Sequence, residues 1–192
     1  WTQGVGLYGL WKQFARTKEQ KYLDILTKFF DAQLEIGFPA LNVNTMAPFL
    51  TMSYVGEHLA DERYLQPCRE AARWIMSDFP RTKEGGFQHM TSDTLNDQEL
   101  WDDTLFMTVL FLANMGRIEG KQAYIVLDTE NNAAERLIEE IQSVPEYDGM
   151  LISGQDALLR CDRNSILIVV DTNRPDQVEC GPLLEAISKV SV

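Results

Sequence analysis

The residues best suited to chemistry lie between positions 85 and 107. A glycine pair precedes His89 there, and two adjacent carboxylates, Asp102 and Asp103, follow Trp101. A positioned carboxylic acid can act as a general acid and base. A tryptophan ring can stack on a sugar, although Trp101 could equally be an ordinary core aromatic. The segment therefore indicates acid–base chemistry beside a candidate sugar platform.

The paired carboxylates also have a purely structural interpretation. Asn96 or Asp97 is expected to cap a helix over residues 97–115, which leaves Asp102 and Asp103 beyond what capping requires. The pair could simply favour the positive end of that helix. Alternatively, one of them faces a cavity where apolar neighbours raise its pKa, so that it holds a proton near neutral pH.

Two asparagines form a second candidate group. Asn42 and Asn44 stand just before a helix predicted to begin near residue 45. An amide side chain can cap a helix or hydrogen-bond a polar ligand. Capping accounts for only one of them, so both are kept as candidates for substrate binding.

The elements that must position these residues are helical. Apolar residues recur with helical spacing in the first part of the chain. Helices are predicted over residues 2–16, 18–35, 45–60, 62–79 and 97–115. Because the connections are short, consecutive helices are expected to form antiparallel hairpins.

The pattern changes near Ile118. All four Trp, all nine Phe and four of the six Tyr come before it, which is 17 aromatic residues against two. Residues 1–117 hold 11 basic and 15 acidic residues, a net charge of −4, whereas residues 118–192 hold 6 and 14, a net charge of −8. We therefore expect two unlike domains, 1–117 and 118–192.

The second domain is predicted to be a partial α/β domain with a parallel sheet. Short β-branched runs that read as strands lie at 123–127, 150–152 and 166–170, and helical stretches lie at 133–143, 155–160 and 180–188. Strands that alternate with helices in this way are typical of a parallel α/β layer.

The overall charge narrows the class of partner. A formal charge of −12 argues against binding to nucleic acid or to an anionic membrane surface, both of which need basic patches. No apolar run has the roughly 20 residues that span a bilayer, and the first residues lack the order of a signal peptide. Three scattered cysteines are expected to be reduced thiols, so we predict a cytoplasmic protein.

Four segments of the first domain carry a family resemblance. They are WTQGVGLYGLWKQF, FPALNVNTMAPFLT, FPRTKEGGFQHM and ELWDDTLFMTVLFLANMG. Together they resemble the unsaturated rhamnogalacturonyl hydrolases, relatives of the unsaturated glucuronyl hydrolases, of glycoside hydrolase families 105 and 88. The resemblance implies a six-hairpin α/α barrel, of which residues 1–117 supply about half.

The same resemblance implies an activity in pectin degradation. The family hydrates the double bond of a terminal 4,5-unsaturated uronic acid in a small oligosaccharide, after which the glycosidic link breaks, and it uses no metal or organic cofactor. By this resemblance Asp103 is the acid, His89 and Trp101 line the sugar site, and Asn44 falls near another key polar position. With half of a barrel, activity is expected to be impaired, and the exposed helix faces could support self-association.

The second domain resembles a different family. The runs GKQAYIVLD, ERLIEEI, GMLISGQDAL and ILIVVDTNRPDQVECGPLLEAISKVSV are similar to part of the DHH-family domain of cyclic-di-AMP phosphodiesterases. The resemblance implies that Asp171 is a manganese ligand, although it could equally be an ordinary loop residue. The other ligands of such a site have no counterpart. The alternatives to a glycoside hydrolase are therefore a manganese-dependent phosphodiesterase fragment and an inactive chimeric or interaction module.

Overall fold

A computed structural model of the chain describes residues 1–83, 86–121, 124–127, 135–162, 165, 167 and 180–190. These form two compact units, Trp1–Lys121 and Gln122–Val192. The first is called the front unit and the second the rear unit, and each is described by itself.

The front unit consists of helices joined by loops. Its elements are α1 (Thr2–Thr17), α2 (Gln20–Ile36), α3 (Ala47–Leu59), α4 (Glu62–Ser77), α5 (Asp102–Thr104), a π-helical turn (Leu105–Val109) and α6 (Leu110–Ile118). The last three follow one another without a break. The first four helices agree with the predicted helices to within three residues at each end, and the antiparallel hairpins stay a prediction. A six-hairpin barrel stays a prediction.

Helix α3 is the central element of the front unit. It lies against α1, α2, α4 and α6, and eight of its residues are buried. Two of the buried residues are polar, and one of them, Ser53, links α3 to α6. Its Oγ donates to the carbonyl of Leu50 at 2.7 Å and accepts from Asn114 Nδ2 of α6 at 2.8 Å. A helix this apolar is stable only when neighbours cover it on several sides, as they do here.

Helices α2 and α4 are joined through Asp31. The hydroxyl of Tyr64 donates to Asp31 Oδ1 at 2.7 Å. Burial, followed by this hydrogen bond to a carboxylate, raises the pKa of Tyr64 to about 12. The phenol therefore stays protonated, and keeps its hydrogen bond, well above the ordinary pH range.

The start of the last helix differs from its prediction. The helix predicted over residues 97–115 begins only at Asp102 and continues to Ile118. Asn96 and Gln98 have φ angles of 46° and 62°, in the left-handed region, so the backbone cannot be helical there. Asn96 does not cap the helix, because its Nδ2 donates to the carbonyl of His89 at 2.7 Å. The expected cap at Asn96 or Asp97 was wrong.

The rear unit contains a small parallel sheet. Its elements are β1 (Ile125–Val126), α7 (Glu135–Gln142), a 3₁₀ turn (Pro145–Tyr147), β2 (Leu151–Ile152), α8 (Gly154–Arg160) and α9 (Gly181–Val190). The two strands pair in parallel, with Ile125 opposite Leu151, as the alternating pattern predicted. Ser153 caps α8 by accepting from the backbone N–H of Asp156 at 3.1 Å. The third predicted strand, 166–170, lies outside the described residues except for Leu167.

Some large apolar side chains of the front unit are exposed. They include Trp1, just before α1, with Val5 on α1 and Leu110 on α6, at 58%, 46% and 44%. Isolated apolar side chains at a surface are ordinary. Self-association through them stays a prediction. Among the described residues, no helix is both long enough and apolar enough to cross a membrane.

Helix α1 approaches α3 closely at Gly4. A Cβ atom added there would lie 2.4 Å from Ala47 Cβ and 2.6 Å from its carbonyl carbon, whereas one added at Gly9 would meet nothing within 4 Å. Since real Cβ atoms do not approach so closely, only glycine allows α1 to lie this near α3.

We predict opposite effects of alanine at these two glycines of α1. Gly9→Ala should raise the free energy of unfolding by roughly 0.5–1 kcal/mol, because alanine favours helix. Gly4→Ala should lower it, because the added methyl group forces α1 away from Ala47. Urea denaturation followed by circular dichroism measures both. Equal stabilisation by the two substitutions would show that the close approach is absent.

Asp61 provides a pH-dependent test of the α4 N-terminus. Its carboxylate accepts from the backbone N–H of Arg63 at 2.9 Å. Hydrogen bonds from the Arg63 side chain are the main reason why the pKa of Asp61 is lowered. A lowered carboxyl pKa stabilises the fold above the unfolded-state value, and this contribution is lost as pH falls through the folded-state value.

Asp61→Ala should therefore reduce stability by about 1 kcal/mol at neutral pH, as loss of a helix cap does. The difference from the wild type should shrink below about pH 4, where the unfolded carboxyl group also takes up a proton. Asp61→Asn is the matched control, because asparagine still caps the helix, and it should lose less. Thermal unfolding at several pH values measures all three chains. A deficit of Asp61→Ala that stayed constant down to pH 2 would contradict the role of the charge.

Candidate active site

His89 is held by the loop that precedes it. A short antiparallel bridge joins Arg81 to Phe87, and the N–H of Gln88 donates to the carbonyl of Pro80 at 2.9 Å. The N–H of His89 then donates to the carbonyl of Glu99 at 2.9 Å. His89 is only 3% exposed. Backbone hydrogen bonds on both sides therefore hold it in the interior.

Trp101 stacks on the His89 ring. The ring centroids are 4.2 Å apart and the planes differ by 9°. The indole N–H donates to Glu99 Oε2 at 2.8 Å, which fixes the ring in its own plane. Because 48% of Trp101 remains exposed, it is not an ordinary core aromatic, and the exposed part is available to a ligand.

Asp103 and Thr104 both approach one nitrogen of His89. Nδ1 lies 3.2 Å from Asp103 Oδ1 and 2.9 Å from Thr104 Oγ1. The imidazole nitrogen can donate to the carboxylate, or it can accept from the hydroxyl, depending on which nitrogen carries the proton. The structure thus joins His89, Trp101 and Asp103 into one group.

Thr104 was missed by the sequence analysis. It is 5% exposed, and its N–H donates to the carbonyl of Trp101 at 3.1 Å. Its own carbonyl accepts from Thr108 Oγ1 at 2.6 Å within the π-helical turn. π-Helical turns occur often at functional sites. The signal available in the sequence was a hydroxyl residue placed directly after Asp103 at the entrance to an apolar helix.

Asp102 and Asp103 both lie in the first turn of α5. The helix starts five residues later than predicted, so both carboxylates occupy positions where the positive end of a helix favours acids. This supports the structural interpretation for Asp102, which is an exposed residue. The side chain of Asp103 is 47% exposed, so the apolar enclosure that was expected around it is not present.

Asn42 is buried, and both the oxygen and the nitrogen of its side-chain amide are hydrogen-bonded. Its Oδ1 accepts from the N–H groups of Asn44 and Thr45 at 2.9 and 3.1 Å, and its Nδ2 donates to Ser92 Oγ at 2.9 Å. It therefore caps the turn before α3, which favours the capping alternative for this asparagine. Its hydrogen bond to Ser92 fastens that turn to the segment that follows His89.

Asn44 is the asparagine whose side chain is not used for capping. The residue is half-buried. The neighbouring backbone is bonded to the His89 segment, since the N–H of Val43 donates to the carbonyl of Met90 at 3.3 Å. The structure thus brings the Asn42–Asn44 turn beside the segment that carries His89.

Two predicted features lie outside the described residues. They are Asp171, the candidate manganese ligand, and Gly85, one of the glycine pair before His89. Within the described ranges there is no group of three or more His, Cys, Asp or Glu side chains that could hold a metal ion. The expectation that no cofactor is needed stays a prediction.

Comparison with known proteins places the front unit among the helical glycoside hydrolases. The family model described as Glycosyl Hydrolase Family 88 matches residues 1–140. The chain belongs to that family, and the resemblance of residues 1–117 is confirmed. The match extends into α7 of the rear unit, beyond the predicted domain boundary at residue 117.

Individual relatives agree with this assignment. The chain is 30% identical over 126 residues to an unsaturated rhamnogalacturonyl hydrolase, YesR, of Bacillus subtilis. The aligned region covers 65% of this chain and 37% of that protein. A solved structure described as a possible member of the GH105 family, from Klebsiella pneumoniae, is 44% identical with a TM-score of 0.61 and covers 62% of this chain and 32% of its own. A similar protein from Salmonella enterica is 43% identical, with the same TM-score and coverage. The chain thus spans about a third of the length of these relatives.

These matches concern glycoside hydrolases. They give no support to the resemblance of residues 120–192 to DHH-family phosphoesterases, which stays a prediction. The chimeric origin and the cytoplasmic location of the protein likewise stay predictions.

We predict different effects of alanine at the two asparagines of the turn. Asn42→Ala should lower the free energy of unfolding by about 1–3 kcal/mol, because two partly buried backbone N–H groups and the Ser92 hydroxyl lose their partner. Asn44→Ala, two residues away, should change it by less than about 0.5 kcal/mol, as substitutions without such partners do. Chemical denaturation of both variants measures the difference. A large loss of stability in Asn44→Ala would mean that its side chain is a structural element.

Proposed function

We propose that the front unit carries the acid of a glycoside hydrolase site that acts on unsaturated uronyl ends of pectin-derived oligosaccharides. The single observation that carries this proposal is the contact of 3.2 Å between Asp103 Oδ1 and His89 Nδ1, beside a tryptophan that is 48% exposed. Membership of glycosyl hydrolase family 88 supports the reaction class. The substrate is inferred from the name of the relative from Bacillus subtilis.

The chemistry assigned to Asp103 is proton transfer to an enol ether. The double bond of a 4,5-unsaturated uronyl residue is conjugated with the ring oxygen, so its electron pair can take a proton from the carboxylic acid at C4. Water then adds to the cation at C5 and gives its proton to the Asp103 carboxylate. The resulting hemiketal opens, the glycosidic link breaks, and the remaining sugar leaves as an alcohol. Asp103 therefore acts first as an acid and then as a base.

The ligand contacts are assigned to Trp101 and Asn44. Trp101 presents a half-exposed ring that is held on one side by His89 and at its N–H by Glu99. A ring fixed in this way loses little conformational entropy when a sugar stacks on it. Asn44 supplies an amide that can hydrogen-bond sugar hydroxyls, and Asn42 shapes the turn that carries it.

The charges around this group set a limit on turnover. Asp97, Glu99 and Asp102 are all exposed acidic residues close in sequence to Asp103. A uronate is itself an anion, so these carboxylates oppose its approach. Asp103 is also about half exposed to water, which weakens its interactions with a reacting group. We therefore expect turnover by this chain to be slow.

The proposal is tested with an unsaturated rhamnogalacturonan disaccharide and the full chain. Loss of the ultraviolet absorbance of the unsaturated uronyl residue reports hydration directly. Asp103→Asn should slow the reaction by at least about 100-fold, the contribution expected of a general acid. Asp102→Asn is the matched control, because it removes a neighbouring carboxylate from the same helical turn, and it should remain close to the wild-type rate.

Two outcomes would contradict the proposal. An absorbance that stays constant with the wild-type chain, at high protein concentration and long incubation, would remove the activity from this chain. Equal rates for the wild type and Asp103→Asn would show that another group supplies the proton.

A further inference from the structure

We propose that Thr104 is a positioning residue. Its hydroxyl is a second hydrogen-bond partner for His89 Nδ1 that can take the place of Asp103. The imidazole therefore stays fixed whether or not Asp103 carries its proton. The inference rests on the proposed function, because only a general acid needs to change its protonation state during turnover. Thr104 contacts His89 and follows Asp103 in the same helix, and no contact with the sugar is assigned to it.

The geometry places two chemically different partners at one nitrogen. Nδ1 of His89 lies 2.9 Å from Thr104 Oγ1 and 3.2 Å from Asp103 Oδ1. An ionised carboxylate can only accept a hydrogen bond, whereas a hydroxyl can donate or accept. His89 and Thr104 are both buried, at 3% and 5% exposed. A buried ring nitrogen without a partner is costly, so the second partner has a physical purpose.

The two protonation states of Asp103 require different partners. When Asp103 is the acid, its proton points to the substrate and its other oxygen is a weaker acceptor than an ionised carboxylate, so Nδ1 accepts from the Thr104 hydroxyl and the ring proton is on Nε2. When Asp103 has given up its proton, the carboxylate accepts from Nδ1–H. Between these states one proton leaves Nε2 for solvent and one reaches Nδ1 from solvent, so the ring is neutral in both.

The surroundings of Thr104 hold its backbone in place, while its hydroxyl hydrogen is free to rotate. The backbone of the residue is held on both sides, because its N–H donates to the carbonyl of Trp101 and its carbonyl accepts from Thr108 Oγ1. The imidazole that it serves also supports the stacked ring of Trp101. A change of tautomer can therefore occur without moving either Trp101 or the carboxylate of Asp103.

The test reads the tautomer of His89 by nitrogen NMR over a range of pH, which distinguishes the two neutral tautomers from the imidazolium. The chain has two histidines, so His58→Gln assigns the signals. In the wild type the proton should be on Nδ1, donated to the Asp103 carboxylate. In Asp103→Ala it should move to Nε2, because Nδ1 then accepts from Thr104. Thr104→Ser should reproduce the wild-type spectrum, and a purely structural role for Thr104 would not produce this pattern.

A double-substitution cycle measures whether the two partners replace each other. Asp103→Ala and Thr104→Val each leave Nδ1 with one partner, and the double variant leaves none. The fall in Tm of the double variant should exceed the sum of the two single falls. Additive falls would overturn the inference, as would the same tautomer in the wild type and in Asp103→Ala. Unfolding of the chain by Thr104→Val alone would also overturn it, because Asp103 would then be unable to replace the hydroxyl.

These results are independent of turnover. A tautomer that follows Asp103 in a chain without hydrolase activity would support the inference and contradict the proposed function. Activity that depends on Asp103, together with a tautomer that does not, would support the proposed function and contradict the inference.

Discussion

The packing of α3 against its neighbours is the constraint on which the front unit depends. Burying one helix on several sides requires close approach, and the contact of Gly4 with Ala47 provides it on the α1 side. On the α6 side the contact is polar, through Ser53 and Asn114. Because the turn that carries Asn42 leads directly into α3, the position of this helix also determines where the turn meets the His89 segment. The candidate site is thus a consequence of how α3 is packed.

Around His89, backbone and side-chain hydrogen bonds have separate roles. The N–H of His89 donates to the backbone carbonyl of Glu99, and its carbonyl accepts from the side-chain amide of Asn96. These two bonds hold the main chain, while Trp101, Asp103 and Thr104 surround the ring. The ring orientation is therefore set by side chains that belong to one stretch of sequence, residues 101–104. A site built from such a short stretch is geometrically precise, because its members share a single helix start.

The sequence predicted the elements well where periodicity was the signal. The first four helices were found to within a few residues, and so was the parallel pairing of β1 with β2. The start of the last helix was predicted wrongly because Asn96 followed three residues later by Glu99 is typical of a capping box. In the structure the backbone is left-handed at Asn96 and Gln98, and these polar residues hold the loop instead. Such tertiary hydrogen bonds leave no periodic trace. The same reason hid Thr104 and Ser92, whose partners are 15 and 50 residues away in the chain.

Orientation and exclusion of water are separate requirements of an acid catalyst, and this structure meets them unequally. The contacts among His89, Trp101, Asp103 and Thr104 are all made inside the front unit, so the direction of the carboxylate is set locally. Its side chain nevertheless remains 47% exposed, and a carboxyl group in water gains little of the electrostatic advantage that an enclosed site provides. In the proposed role of Asp103, local hydrogen bonds therefore supply the orientation of the acid, whereas the enclosure that would strengthen its action on a reacting group is a separate requirement that they do not meet.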